Sequence, residues 1–184
     1  MRITLVQLER EPLEYKVSLT PRESGFSDEV TQIGDLESEG RADLLEEHRG
    51  PRDIVQDIRV RGSYAGVFSV PCARCIDPVE QPLSGTFDLL FRPLGVDTGE
   101  TDHSIGASET EIGYYQDGGL TLEDVLREQV LLALPARVLC SEDCKGLCPR
   151  CGANQNSDPC SCEPAAADPR WAALGDLSSR IKAN

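Results

Sequence analysis

The sequence predicts an α+β fold: an antiparallel β-sheet with one main packing helix and a C-terminal cysteine-rich knuckle module. Three features carry that prediction. Apolar residues alternate on both sides of Cys72 and Cys75, an apolar helical stripe runs from Thr121 to Leu134, and six cysteines crowd into residues 140–162. Strict alternation marks a half-buried strand, whereas apolar recurrence every three to four residues marks one face of a helix.

Residues 1–20 read as strands, with Leu13, Tyr15, Val17 and Leu19 in clean alternation. Residues 22–53 are polar and punctuated by glycine, which predicts a solvated connection with one short helix over Ala42 to His48. From residue 54 the alternation returns: Ile58, Val60, Tyr64, Phe68 and Val70 share one face with Gly62 and Gly66. Glycine inside a strand permits a bend or a close approach. Beyond Pro71-Cys72-Ala73-Arg74-Cys75, the apolar positions are Val79, Leu83, Phe87, Leu89 and Phe91. Two alternating runs around a tight Cys-x-x-Cys turn predict an antiparallel hairpin with the cysteines at its tip.

Residues 93–110 are rich in Gly, Asp and Ser and read as a loop, and Glu111 to Tyr115 as one more short strand. Thr121 to Leu134 is the clearest helix. Thr121 stands at the N-cap, Glu123 and Asp124 face the positive helix end, and Pro135 stops it. Leu122, Val125, Leu126 and Ala133 are expected to face the sheet, as are Phe87 and Leu89. Leu131, Leu132 and Leu134 make the last turn apolar nearly all round, as for a helix end buried on a sheet. The chain is expected to divide into an α+β domain over 1–139, with a polar insertion at about 22–53, a zinc-binding module over 140–162, and a tail over 163–184. Trp171, Leu174 and Leu177 in that tail suggest a short amphipathic turn.

Composition narrows the function classes. The chain has 184 residues, 39% of them hydrophobic and 5% aromatic, so its core should be built from Val, Ile and Leu. No apolar run approaches the ~20 residues that span a bilayer. Arg2, Glu9, Arg10 and Glu11 interrupt the N-terminal apolar residues, so no signal peptide is expected and the cytoplasm is the expected compartment. Acidic residues number 32 against 18 basic ones, a formal net charge of −14. Binders of nucleic acid usually neutralise phosphates with Lys and Arg, which this balance disfavours. A basic protein partner fits it better, and solubility alone would also explain it.

Eight cysteines fall into four pairs: Cys72/Cys75, Cys140/Cys144, Cys148/Cys151 and Cys160/Cys162. Zinc binds four thiolates in a tetrahedron at about 2.3 Å, and a tight turn supplies two of them readily. Cys148-Pro149-Arg150-Cys151-Gly152 has the chemistry of such a turn, because Pro149 fixes one dihedral and Gly152 permits a positive φ after the second ligand. The favoured partition gives two structural four-cysteine zinc sites. One holds Cys148, Cys151, Cys160 and Cys162; the other joins Cys72 and Cys75 to Cys140 and Cys144, a cross-link over a long loop. The rival is a local site of Cys140, Cys144, Cys148 and Cys151. Disulfides would need an oxidising compartment. Thioredoxin-like chemistry would need a Cys-x-x-Cys at a helix start. An iron–sulfur cluster is chemically compatible with four thiolates.

Elsewhere the sequence offers little to catalysis. Asp102-His103-Ser104 has triad residue types, but loop neighbours cannot build triad geometry by adjacency. Glu46 and Glu47 lie in a polar stretch, and Glu123 and Asp124 are explained by the helix dipole. Phosphate-cradling loops and stacking aromatics interleaved with basic residues are missing. Arg59, Arg61, Arg74 and Arg92 cluster around the hairpin, where salt bridges are their expected use.

Several uncommon motifs follow one another in order. They are Cys72-Ala73-Arg74-Cys75, the run from Leu120-Thr121-Leu122-Glu123-Asp124 to Leu134-Pro135, Asp143-Cys144-Lys145-Gly146-Leu147-Cys148-Pro149-Arg150-Cys151-Gly152, and Asp168-Pro169-Arg170-Trp171-Ala172-Ala173-Leu174. Together, over roughly residues 50–177, they resemble the YceD family, the bacterial large ribosomal RNA subunit accumulation proteins. The pattern departs at Gln155, where an apolar residue is expected over the knuckle. The resemblance implies a role in the accumulation of large-subunit ribosomal RNA and in large-subunit assembly, and it brings no catalytic residue. With the acidic charge and closed zinc sites, the expectation is a non-catalytic factor that binds a basic ribosomal or assembly protein. The alternative is a zinc-knuckle module acting directly on ribosomal RNA through local arginines. An enzyme such as a nuclease or redox protein is a third class. Neither a membrane nor a small-molecule substrate is expected.

Overall fold

The structure is a computed structural model that describes residues 1–27, 29–50, 53–96 and 112–163. The chain forms two compact units: Met1–Pro71 with Pro78–Val138, and Cys72–Asp77 with Leu139–Asn184.

The first unit is built on a five-stranded sheet in the order β2-β3-β4-β5-β6. Its strands are β2 (Leu13–Leu19), β3 (Thr31–Gly50), β4 (Asp53–Pro71), β5 (Pro78–Pro93) and β6 (Ile112–Tyr115). The first four form an antiparallel meander, and β6 adds parallel to β5. A small two-stranded sheet pairs β1 (Arg2–Thr4) with β7 (Gly119–Thr121). Among the described residues, three helices complete the unit: α1 (Leu5–Leu8), α2 (Pro21–Ser24) and α3 (Leu122–Ala133).

The predicted hairpin is present. β4 and β5 pair from Ile58↔Phe91 up to Pro71↔Pro78, which leaves Cys72 to Asp77 beyond the last pair. Ile58, Val60, Tyr64, Phe68 and Val70 are all buried, as their alternation predicts. The expected strand near Tyr115 is β6. Leu13, Tyr15, Val17 and Leu19 turn to the covered side of β2, but the expectation of strands throughout residues 1–20 is corrected by the helical turn α1.

The larger correction concerns residues 22–53. They hold no helix at Ala42–His48; β3 runs unbroken through that segment for twenty residues. Its inward positions explain why alternation gave no signal. Leu36, Ser38 and Ala42 are buried, Gly40 lies between them, and charged Glu37, Glu39 and Arg41 face outward. The inward residues are small because aromatic rings occupy the space. Tyr15, Gly40, Gly62 and Phe87 lie in one line across four strands. A Cβ on Gly62 would overlap the Tyr15 hydroxyl and come within 2.8 Å of the Glu39 carbonyl oxygen. Large rings on β2 and β5 thus cover glycines on β3 and β4 between them, a known device for curved sheets.

Cross-strand ion pairs dress the exposed face, including Arg59–Asp88 at 2.6 Å and Arg61–Asp43 at 2.9 Å. Arg92 is buried and is gripped at two points by buried Asp57, with 3.1 Å and 2.9 Å bonds, and by Glu47 at 2.6 Å. Three of the four hairpin arginines therefore make the expected salt bridges.

Helix α3 buries Leu122, Val125, Leu126 and Val130 in the same core as Phe68 and Phe87. Its far end departs from expectation. Ala133 is exposed, and Leu131 and Leu132 are 45% and 73% exposed, so Val130 is the last inward residue. Leu134 adopts extended dihedrals, the conformation that a following proline favours. Thr121 occupies the N-cap, yet its side chain makes no capping hydrogen bond. Asp102, His103 and Ser104, and the turn expected at Trp171, Leu174 and Leu177, lie outside the described residues.

Truncating the buried stripe should be costly and truncating the exposed one should not. Leu126→Ala is expected to lower the unfolding free energy by about 2–5 kcal/mol. Leu132→Ala should stay within about 0.5 kcal/mol. Denaturant unfolding followed by circular dichroism measures both, and equal effects would contradict the packing of α3.

Candidate metal centre

The second unit gathers all eight cysteines into two groups of four. Cys72, Cys75, Cys140 and Cys144 form one, and Cys148, Cys151, Cys160 and Cys162 form the other. Within each group every sulfur lies within 4.8 Å of the others. This is the favoured partition; Cys140 and Cys144 are not grouped with Cys148 and Cys151. The Cys72–Cys144 and Cys75–Cys140 sulfurs are 3.8 Å and 3.6 Å apart. Both distances are too long for a disulfide of about 2.0 Å. They match the edge of about 3.8 Å in a tetrahedron of thiolates around zinc.

Each group is anchored by one Cys-x-x-Cys knuckle, and the two knuckles repeat one hydrogen-bond pattern. Cys72 N–H donates to the Asp77 carbonyl at 2.8 Å, and Ile76 N–H to the Cys72 carbonyl at 2.9 Å. In the other knuckle Cys148 N–H donates to the Ala153 carbonyl at 2.8 Å, and Gly152 N–H to the Cys148 carbonyl at 2.9 Å. The residue after the second cysteine takes positive φ in both, 75° at Gly152 and 66° at Ile76. Glycine accepts that geometry freely, whereas a β-branched residue there is a true outlier, strained by about 1–3 kcal/mol. The first knuckle therefore holds its shape against the preference of its own residue.

Donors point at the sulfurs. Arg74 and Cys140 backbone N–H groups reach Cys72 Sγ at 3.5 Å and 3.4 Å. The Asn156 side-chain amide donates to Cys144 Sγ at 3.3 Å, and that of Gln155 to Cys160 Sγ at 3.1 Å. Gln155 thus corrects the expectation of apolar packing over the knuckle, because a donor to sulfur is useful at that place. Arg74 also departs from the expected salt bridge. Its guanidinium donates to the Cys144 and Glu142 carbonyls at 2.7 Å and 3.1 Å, bracing the chain on which Cys144 sits.

These donors set the thiol acidities. The Arg74 N–H, aided by those of Cys75 and Cys140, outweighs burial and lowers Cys72 to about 6. The Cys162 N–H, with Cys148 and Gln155, lowers Cys160 to about 6. Cys162, beside Cys151 and Cys160, is pushed up to about 12, and burial pushes Cys75 up. Each group so combines a sulfur that ionises readily with one that keeps its proton, and a bound ion would displace that proton. Either set could hold a thiophilic divalent metal with four protein ligands and no open position.

The described residues define a class: an α+β sheet protein carrying a compact module with two four-cysteine clusters. Within that class, the chain belongs to the YceD family, described as Large ribosomal RNA subunit accumulation protein YceD, which matches residues 60–178. An uncharacterized protein of Mycobacterium tuberculosis is 33% identical over 124 residues, covering 67% of this chain and 57% of the relative. The chain is also similar to the maize (Zea mays) protein named Large ribosomal RNA subunit accumulation protein YCED homolog 1, chloroplastic. That identity is 28% over 130 residues, covering 58% of this chain and 44% of the relative. The homologue of the same name from Arabidopsis thaliana is 26% identical over 146 residues, 68% of this chain and 46% of the relative. The chain thus matches only about half the length of these curated relatives. No solved structure matches it. Among the described residues, no helix is long and apolar enough to cross a membrane.

Since any ion here competes with protons on thiols such as Cys162, metal retention is expected to fall as pH falls. The check is release to a chromophoric chelator between about pH 7.5 and pH 5, with protonation driving release at the acid end. Retention that does not change with pH would contradict thiolate ligation.

Proposed function

We propose that each four-cysteine cluster holds one structural zinc ion. We further propose that the chain is a non-catalytic factor in the accumulation of large-subunit ribosomal RNA and the assembly of the large subunit, acting by binding a basic ribosomal or assembly protein. The family match over residues 60–178 is the observation that carries the process. The donor sets support the metal: four thiols per set, tetrahedral spacing and N–H groups directed at sulfur. Full sets support a non-catalytic role, because catalytic zinc keeps one position open beside three protein ligands.

Charge supports the kind of partner. The formal count is −14. Each site of four thiolates and one divalent cation adds two negative charges, bringing the loaded chain to about −18. Residues 72–77 and 139–163 carry three basic residues (Arg74, Lys145, Arg150) and five acidic ones (Asp77, Glu142, Asp143, Asp158, Glu163), so the module is acidic before any thiolate is counted. The four arginines around the hairpin are also engaged. Arg59, Arg61 and Arg92 pair with carboxylates, and Arg74 binds carbonyl groups. A basic surface is therefore a better match than a phosphate backbone.

Depletion of the protein is expected to lower the ratio of large- to small-subunit RNA; an unchanged ratio would sink the assembly role. The purified zinc-loaded chain is expected to bind basic large-subunit proteins without RNA, more weakly as salt rises. Tight binding to naked ribosomal RNA alone would sink the protein-partner mechanism and leave the process standing.

A further inference from the structure

The loop between Cys151 and Cys160 closes the C-terminal cluster, yet two of its side chains, Asn154 and Asn156, reach the other one. Asn156 donates from Nδ2 to Cys144 Sγ at 3.3 Å, and its Oδ1 accepts from the Lys145 N–H at 2.8 Å. One side chain so fixes both a sulfur of the first cluster and the backbone next to it. Asn154 holds Asn156 in place: its Oδ1 accepts from Asn156 N–H and Nδ2, both at 3.0 Å. Asn154 also donates from Nδ2 to Asp77 Oδ2 at 2.8 Å, on the knuckle that carries Cys72 and Cys75. Backbone bonds follow the same route, from Leu147 N–H to the Arg74 carbonyl at 3.0 Å and from Gln155 N–H to the Gly146 carbonyl at 2.9 Å.

We propose that the two metal sites are energetically coupled through Asn156: an ion at Cys148, Cys151, Cys160 and Cys162 raises the affinity of Cys72, Cys75, Cys140 and Cys144 for its own. The inference rests on the two-site reading above. Its basis is that the loop bearing Asn156 is tethered at both ends by ligands of the C-terminal site. Without an ion there, residues 152–159 lose that tether, and Asn156 is no longer held against Cys144. Partners of this second layer typically change metal affinity by about 10–100-fold. Coupling between binding sites is reciprocal, so the first site favours loading of the second by the same factor. Asn156 is a positioning residue here and touches no ion.

The test is competition for zinc against a chromophoric chelator, using the full reduced chain. Six proteins are compared: the wild type, Cys160→Ser/Cys162→Ser and Cys75→Ser/Cys140→Ser, each with and without Asn156→Ala. The two-ion constant of the wild type is expected to exceed the product of the two single-site constants by about tenfold or more. With Asn156→Ala in all three backgrounds that ratio should approach one. A wild-type ratio near one overturns the coupling, and a high ratio that survives Asn156→Ala overturns its assigned route. Should a single-site variant bind nothing, the wild-type background decides. There Asn156→Ala must lower the two-ion constant about tenfold, and no change overturns the proposal. Uptake of fewer than two ions by the wild type overturns the two-site reading itself, whereas two independent ions overturn only the coupling.

Discussion

Four sulfur atoms within 4.8 Å of one another, twice over in one small unit, set the constraint on which the module depends. As thiols they gain little from such crowding, and as thiolates they repel. A divalent ion at each centre would turn that liability into about 10–16 kcal/mol of folding free energy for a structural zinc site. The surrounding structure is arranged for that outcome. Knuckle N–H groups, the Asn156 and Gln155 amides and the lowered pKa values of Cys72 and Cys160 all mark sulfur favoured in its charged form. Ile76 holds a backbone angle that its own side chain resists, as expected where the site dictates the turn.

How much was legible in the sequence depends on which residues face inward. β4 was readable because Ile58, Val60, Tyr64 and Phe68 point into the core, and α3 because Leu122, Val125 and Leu126 do. β3 was not, since Ser38, Gly40 and Ala42 carry too little apolar surface to register as a strand. Their smallness makes sense only beside Tyr15 and Phe87, residues distant in sequence that cover the glycines. The end of α3 misled for the opposite reason: Leu131 and Leu132 are apolar but exposed. Their surface says nothing about packing until the sheet is in place.

At the cysteine clusters, spacing pointed to thiolate ligands but left two partitions open. Chain topology decides between them, because the segment Cys72–Asp77 joins the unit that holds residues 139–163. Asn156 gave no sequence signal, since a lone asparagine in a polar loop looks like any solvated residue. Gln155 did give one, as a polar residue where an apolar one was expected, and its bond to Cys160 supplies the reason. Family membership and donor sets stand together: an acidic member of the YceD family whose eight cysteines fall into two sets that could each hold a metal ion.

The central claim is that these eight cysteines build two closed zinc sites. Native mass spectrometry of the full reduced chain, purified without chelator, tests it most directly. The account predicts a mass increase of two zinc ions, falling to one ion in Cys160→Ser/Cys162→Ser or in Cys75→Ser/Cys140→Ser when these variants retain the other site. A chain carrying no metal, a single ion shared by Cys140, Cys144, Cys148 and Cys151, or an iron–sulfur cluster would contradict it.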